Sequence, residues 1–130
     1  MAKGWVLDRY HRSAPLNLTV NAEASNVITV DLELTDQDDN ALEESRTYMA
    51  RLFDANALLA LSTAFRLAET GSGAEISATA KSSLIFSLGS AGTAKLAVTD
   101  VAGASGATLY LVITPLNLRG APVYTTVTFD

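Results

Sequence analysis

Asp36, Asp38, Asp39 and Asn40 place four oxygen-bearing side chains within five residues, with Glu43 and Glu44 close behind. Several carboxylate and amide oxygens from one loop are what a hard cation such as calcium requires. The run matches the opening of the D-x-[DN]-x-[DN]-G calcium loop, but Ala41 stands where the glycine belongs and Thr47 where the closing glutamate belongs. The sharp turn is then disfavoured and the bidentate ligand is missing. The run is therefore read as a solvated hairpin turn, and no metal or cofactor is assigned.

Two further residues invite a catalytic reading. His11 is the only histidine, and it lies in a basic segment that supplies neither a nucleophile nor an orienting acid. Ser72 sits between Gly71 and Gly73, one residue short of the nucleophile elbow G-x-S-x-G. No P-loop, dinucleotide fingerprint or zinc-ligand spacing occurs, and Gly103, Gly106 and Gly120 are too widely spaced to cradle a phosphate. With no cysteine, a thiolate metal site, a disulfide and a cysteine nucleophile are all excluded. No enzyme is expected. Trp5, Tyr10, Tyr110 and Tyr124 could stack on sugars or bases, but a core or interface role is the favoured reading.

The elements that would position these residues are mostly short strands. Val27 to Leu34 alternates Ile28, Val30, Leu32 and Leu34 against Thr29, Asp31 and Glu33. Thr47 to Phe53 alternates Tyr48, Ala50 and Leu52 against Met49, Arg51 and Phe53. Leu16 to Val20, an edge strand at Ile76 to Thr79, Leu84 to Leu88 and Thr93 to Thr99 follow the same logic. Thr108 to Thr114 and Val123 to Phe129 form a C-terminal hairpin around the turn-rich PLNLRGAP. The expected core is Ile28, Val30, Leu32, Leu96, Val98, Leu109, Leu111, Ile113, Val127 and Phe129. Six to eight strands separated by Gly, Asn, Asp and Ser clusters predict an all-β antiparallel sandwich. One segment dissents. Ala41 to Ala68 is rich in good helix formers, and Leu58, Leu61, Phe65 and Ala68 lie at helical spacing. Ala57 to Leu67 is thus either one short helix in the middle of the chain or a strand plus loop.

At 130 residues the chain has the length of one domain. Its hydrophobic fraction of 48% includes 21 alanines, and charged residues make up 18%, below the ~25% typical of soluble domains. Between Asp100 and Asp130 the only charge is Arg119, which implies that much of the terminal hairpin's surface is covered. The uncharged run Val101 to Leu118 carries Gly103, Gly106 and Pro115 and alternates like a strand, so no membrane span is expected. Nor does the N-terminus carry the apolar stretch of a secretory signal. Residues 1 to 18 hold Lys3, Arg9 and Arg12 against Asp8, a balance of +2. The rest carries six basic and thirteen acidic residues, a balance of −7. An acidic body argues against a nucleic-acid surface. The basic, aromatic residues 1–15 suit an arm that docks on an acidic partner, with residues 16–130 as the domain. Trp5, Arg9, Tyr10 and Arg12 are the expected partner contacts.

Residues 26–129, about four-fifths of the chain, resemble the small immunoglobulin-like β-sandwich domains encoded among the virion genes of tailed bacteriophages. The resemblance is carried by Val27-Ile-Thr-Val-Asp-Leu-Glu-Leu-Thr-Asp36, Asn40-Ala-Leu-Glu-Glu44 and Tyr48 to Asp54. It continues through Thr93-Ala-Lys-Leu-Ala-Val-Thr-Asp100 with Gly103, Ala107-Thr-Leu-Tyr-Leu-Val-Ile113 and Val123 to Phe129. The chain departs from the pattern where Asp39 replaces the first turn's glycine and where Ala55 to Ala80 matches poorly. The resemblance implies an immunoglobulin-like fold and a virion structural protein, foremost a capsid decoration or cement protein on the major capsid protein lattice. A tail-tube, neck or head–tail accessory subunit is the alternative, and a carbohydrate- or receptor-binding module on a fibre is another. The expected partners are the major capsid protein or another virion protein, with homo-oligomers on the particle. Fold transfers across such resemblances more readily than function.

Overall fold

A computed structural model describes residues 15–36, 38–54, 57–61, 65–80, 82–101, 106–116 and 122–130. It contains ten strands among these: β1 (Leu16–Val20), β2 (Val27–Leu34), β3 (Thr47–Asp54), β4 (Ala57–Leu61) and β5 (Phe65–Glu69). They are followed by β6 (Ala74–Ala80), β7 (Ser83–Ser87), β8 (Thr93–Asp100), β9 (Thr108–Pro115) and β10 (Val123–Thr128). Every pairing is antiparallel. One four-stranded sheet runs β1-β2-β8-β5; the other, six-stranded, runs β10-β9-β3-β7-β6, with β4 attached to the end of β3. An immunoglobulin sandwich places strands A, B, E and D in one sheet and G, F and C in the other. Here β1-β2-β8-β5 and β10-β9-β3 take those places, so the chain is an immunoglobulin-like β-sandwich.

The alternation in the sequence becomes the two sides of each sheet. Ile28, Val30, Leu32, Leu96 and Val98 of the four-stranded sheet are buried against Leu109, Leu111, Ile113 and Val127 of the six-stranded one, with Phe129 just past the end of β10. All ten residues expected in the core are therefore there. Tyr48, Leu52, Leu84 and Phe86 extend it, and the Phe65 and Phe129 rings meet at 5.1 Å. Each fully buried aliphatic or aromatic side chain contributes roughly 1.5–3 kcal/mol.

The short helix held open for Ala57 to Leu67 does not form: the described residues there are strands β4 and β5. Burial in β5 alternates, with Phe65 and Leu67 inside and Arg66 outside, and its register on β8 runs from Phe65↔Asp100 to Glu69↔Leu96. Helix propensity is worth only tenths of a kcal/mol per residue. The open edge of β8 offers backbone hydrogen bonds and a core slot for Phe65, which together outweigh it. The strand count also exceeds expectation, because Ala55 to Ala80 contributes β4, β5 and β6 where two elements were foreseen, one over Ala57 to Leu67 and an edge strand at Ile76 to Thr79.

Two turns use left-handed backbone without glycine. Ser25 and Asn26 (φ 53° and 63°) close the hairpin from β1 to β2, with Ala24 and Val27 exchanging hydrogen bonds at 2.9 and 3.0 Å. Positive φ at both central residues is the signature of a type I′ turn, whose twist matches that of the strands. Asp39 adopts φ 66° after β2. That is the conformation for which a glycine would ordinarily be chosen, and Asp is among the few residues that tolerate it.

Candidate interaction surface

The acidic run builds its own turn. Asp36 Oδ1 accepts hydrogen bonds from the Asp38 and Asn40 N–H groups at 2.8 and 3.0 Å, while Asp36 N–H donates to the Asn40 carbonyl at 2.9 Å. Asp38, Asp39 and Glu43 point into solvent, and Glu44 pairs with the buried Arg46 at 3.1 Å. Among the described residues, no three His, Asp or Glu side chains converge as metal ligands would.

Ser72 belongs to a corner, not to a nucleophile elbow. Its Oγ lies 2.7 Å from Thr93 Oγ1 and donates to the Thr93 carbonyl at 3.1 Å. The corner carries the chain from β5 in one sheet to β6 in the other, and it is organised by Glu69. The Glu69 Oε2 atom accepts from Gly71 N–H at 3.0 Å, from Gly73 N–H at 3.1 Å and from Lys95 N–H at 3.1 Å. A Cβ on Gly73 would sit 2.5 Å from the Ser87 carbonyl oxygen, so the glycine is required by close approach. Sequence reasoning passed over Glu69, because nothing local marks a carboxylate that collects donors from two segments.

Arg46 is covered by the core edge and holds Tyr48. Burial pushes the Tyr48 phenol above its ordinary pKa, while the Arg46 charge and its hydrogen bond pull part of the way back. This is a structural contact at the mouth of the core, capped by Ser45 Oγ donating to the Leu88 carbonyl at 2.7 Å.

The two outer faces differ in chemistry. The four-stranded sheet carries an ordinary charged exterior: Asp31 pairs with Lys95 at 3.5 Å, and Glu33 and Arg66 are exposed. Four strands of the six-stranded sheet do not; β6, at its edge, carries the exposed Glu75. In β3, β7, β9 and β10 the positions that alternate with the buried ones are Thr, Ser, Met, Val, Ile, Tyr and Phe, with Arg51 the one charge among them. Arg51 lies over the Phe53 ring at 5.5 Å, and its buried Nε has no hydrogen-bond partner among the described residues. Tyr110 and Tyr124 meet edge-to-face at 6.1 Å, and Tyr124 is 69% exposed. The alternation in Thr47 to Phe53 had already set Met49, Arg51 and Phe53 apart from the core side. The pairing of β3 beside β9 is what gathers them with Tyr110 into one surface.

Trp5, Arg9, Tyr10 and Arg12, the expected partner contacts, lie outside the described residues, as does His11. Among the described residues, no helix is long and apolar enough to cross a membrane.

No family model matches the chain, and no curated protein matches it. Its fold is similar to part of two crystal structures of Parabacteroides merdae beta-glucuronidase, at 11% and 10% identity and a TM-score of 0.49 in both. The similarity covers 92% of this chain and 12% of each of those chains. Likeness at that level carries no activity across.

Proposed function

We propose that this chain is a non-enzymatic virion structural protein of a tailed bacteriophage, most simply a capsid decoration protein that binds the major capsid protein lattice. The observation that supports this best is the charge-poor outer face of the six-stranded sheet, centred on Met49, Arg51, Phe53, Tyr110 and Tyr124. A surface that carries one charge among the described residues of β3, β7, β9 and β10, with several Thr and aromatic side chains, desolvates at little cost against an ordered protein surface. The immunoglobulin-like sandwich agrees with the sequence resemblance, and the Asp36 and Glu69 carboxylates are committed to a turn and a corner of the fold itself.

In this reading Trp5, Arg9, Tyr10 and Arg12 contact the lattice or a neighbouring subunit, adding a basic, aromatic attachment to the flat face. Exposed rim charges are screened over about 8 Å at physiological ionic strength, so the arm's contribution should weaken with salt. Co-sedimentation with purified capsids tests the assignment. Full-length chain should saturate the particles at a fixed ratio, and a chain truncated to start at Leu16 should stay folded but bind more weakly. Equal binding by the truncated chain would remove the arm from the account.

A second reading has one observation in its favour. The Tyr110–Tyr124 pair, with Tyr124 exposed, is the kind of aromatic surface on which a sugar ring can stack. A carbohydrate-binding module on a fibre would then lose ligand when Tyr124→Ala is made, with no capsid affinity to lose.

A further inference from the structure

Among the described residues, β10 is the last strand of the six-stranded sheet and pairs with β9 alone. Its hydrogen bonds fix which backbone groups face outward. Phe129 N–H donates to the Ala107 carbonyl at 2.8 Å, and the register continues through Val127↔Leu109, Thr125↔Leu111 and Val123↔Ile113. Bonded and non-bonded positions alternate along an antiparallel pair. The odd-numbered residues of β10 therefore bond to β9, and the N–H and C=O groups of Tyr124, Thr126 and Thr128 face away from it. The side chains of the same residues are exposed on the outer face.

Sheet edges are ordinarily blunted by charge, proline, bulges or short length. The edge strand β5 carries Arg66 and Glu69, β6 has two register shifts, and β1 is five residues long behind Pro15. Within its own span β10 has neither charge nor bulge: Val123-Tyr-Thr-Thr-Val-Thr128 is uncharged, and its register on β9 is unbroken. Its two ends are closed instead. Pro122 has no N–H to donate, and the Asp130 N–H is already held by Glu23 Oε1 at 2.8 Å.

We propose that β10 pairs antiparallel with β10 of a second copy of this chain, about a twofold axis through Thr126. Thr126 then opposes its own counterpart, and Tyr124 opposes Thr128 in both directions, each pair exchanging two backbone hydrogen bonds. One step beyond, Pro122 would oppose Asp130. Neither residue has a donor to offer there, so the pairing ends where the strand ends. That match between the two ends is what selects a second copy over an unrelated strand. Across the axis the side chains meet as Thr–Thr and Tyr–Thr pairs, and no charge faces a like charge. The contact is isologous and closed, and it joins two six-stranded sheets into one. It stands on the chemistry of this edge and does not depend on a virion role.

The chain has no cysteine, which makes the register directly testable. Residues opposed in a bonded pair have Cα atoms about 5.5 Å apart, within the roughly 4.4–6.8 Å that a disulfide spans. Full-length Thr126→Cys should oxidise to a covalent dimer far faster than Ser90→Cys, which places its thiol in the exposed turn before β8. Sedimentation of the unmodified chain should show a concentration-dependent dimer. Thr126→Pro removes an outward N–H without touching the ladder to β9, and should weaken the dimer by about tenfold or more, the equivalent of ~1.4 kcal/mol. Thr126→Lys, which puts two like charges on the axis, should do the same if the proline variant fails to fold. A chain that remains monomeric at millimolar concentration overturns the proposal. So does a dimer indifferent to Thr126→Lys, or a Thr126→Cys chain that cross-links no faster than Ser90→Cys.

Discussion

Replacing Glu69 with alanine removes one oxygen atom that holds three backbone donors in two segments of chain. Hydrogen bonds to a charged acceptor are worth about 1.5–3 kcal/mol each, but three donors sharing one oxygen fall at the low end of that range. The Gly71 amide is in an exposed corner, and water can replace its partner at little cost. The Gly73 and Lys95 amides are half-buried, and leaving each unsatisfied costs roughly 1–2 kcal/mol. Glu69→Ala should therefore destabilise the fold by about 2–4 kcal/mol. Glu69→Gln keeps an acceptor oxygen without the charge and should lose about half as much. Urea unfolding followed by far-UV circular dichroism reads the change, with an unaltered m-value expected because the same surface is exposed on unfolding. Amide exchange adds a local readout: the Gly73 and Lys95 protons should lose protection in the alanine variant beyond the global loss. A cost below about 0.5 kcal/mol, with both amides still protected, would refute the claim that this carboxylate builds the crossover between the sheets.

Three further outcomes check the account. Leu111→Ala, at a site with no exposure, should cost about 2–5 kcal/mol in denaturant unfolding, and its outward-facing neighbour Val112→Ala about 1 or less; the reverse order would show the strand phase to be off by one. Asp39→Gly should raise stability by about 0.5–1 kcal/mol, because relief of the left-handed backbone at φ 66° exceeds the added unfolded-state entropy; a loss would mean that the Asp39 side chain does more than occupy the turn. The raised pKa of Tyr48 means that the folded state holds its proton more tightly than the unfolded chain does. Its contribution is then complete below pH ~10 and is lost as pH rises through the folded value. Tyr48→Phe should flatten the alkaline limb of a thermal-stability profile, and an unchanged limb would place the titration elsewhere.

Most of the fold was legible because period-two burial is a strong local signal. Val27 to Leu34, Thr93 to Thr99 and the terminal hairpin each bury one side against a shared core, and their sequences say so without reference to partners. The middle was less legible. Ala57 to Ala68 is composed of helix formers, and only the vacant edge of β8, supplied by distant sequence, makes β5 a strand. The Asp36 turn was read correctly as a turn, yet its substitution of Asp39 for glycine looked like a departure from the family pattern. The structure resolves that departure: the backbone there is left-handed, and Asp39 adopts it. Glu69 was invisible in the sequence because its donors come from Gly71, Gly73 and Lys95, which only the β5–β8 register brings together. Likewise the charge-poor face was half legible. The scarcity of charge after Asp100 was plain, but the contribution of Met49, Arg51 and Phe53 required β3 to lie beside β9.

The proposed virion role draws its structural support from the outer face of the six-stranded sheet, and its most direct test is particle binding by a chain altered only there. Capsids assembled from a candidate tailed-phage major capsid protein would be titrated with unmodified protein and with Tyr124→Lys or Phe53→Lys. Cryo-electron microscopy of the unmodified complex should show the six-stranded sheet facing the lattice at regular occupancy. The lysine variants, folded by circular dichroism, should lose that density, since a charge buried in a protein contact costs several kcal/mol without a partner. Capsids that stay bare at saturating protein, or that are decorated equally by the lysine variants, would contradict the account.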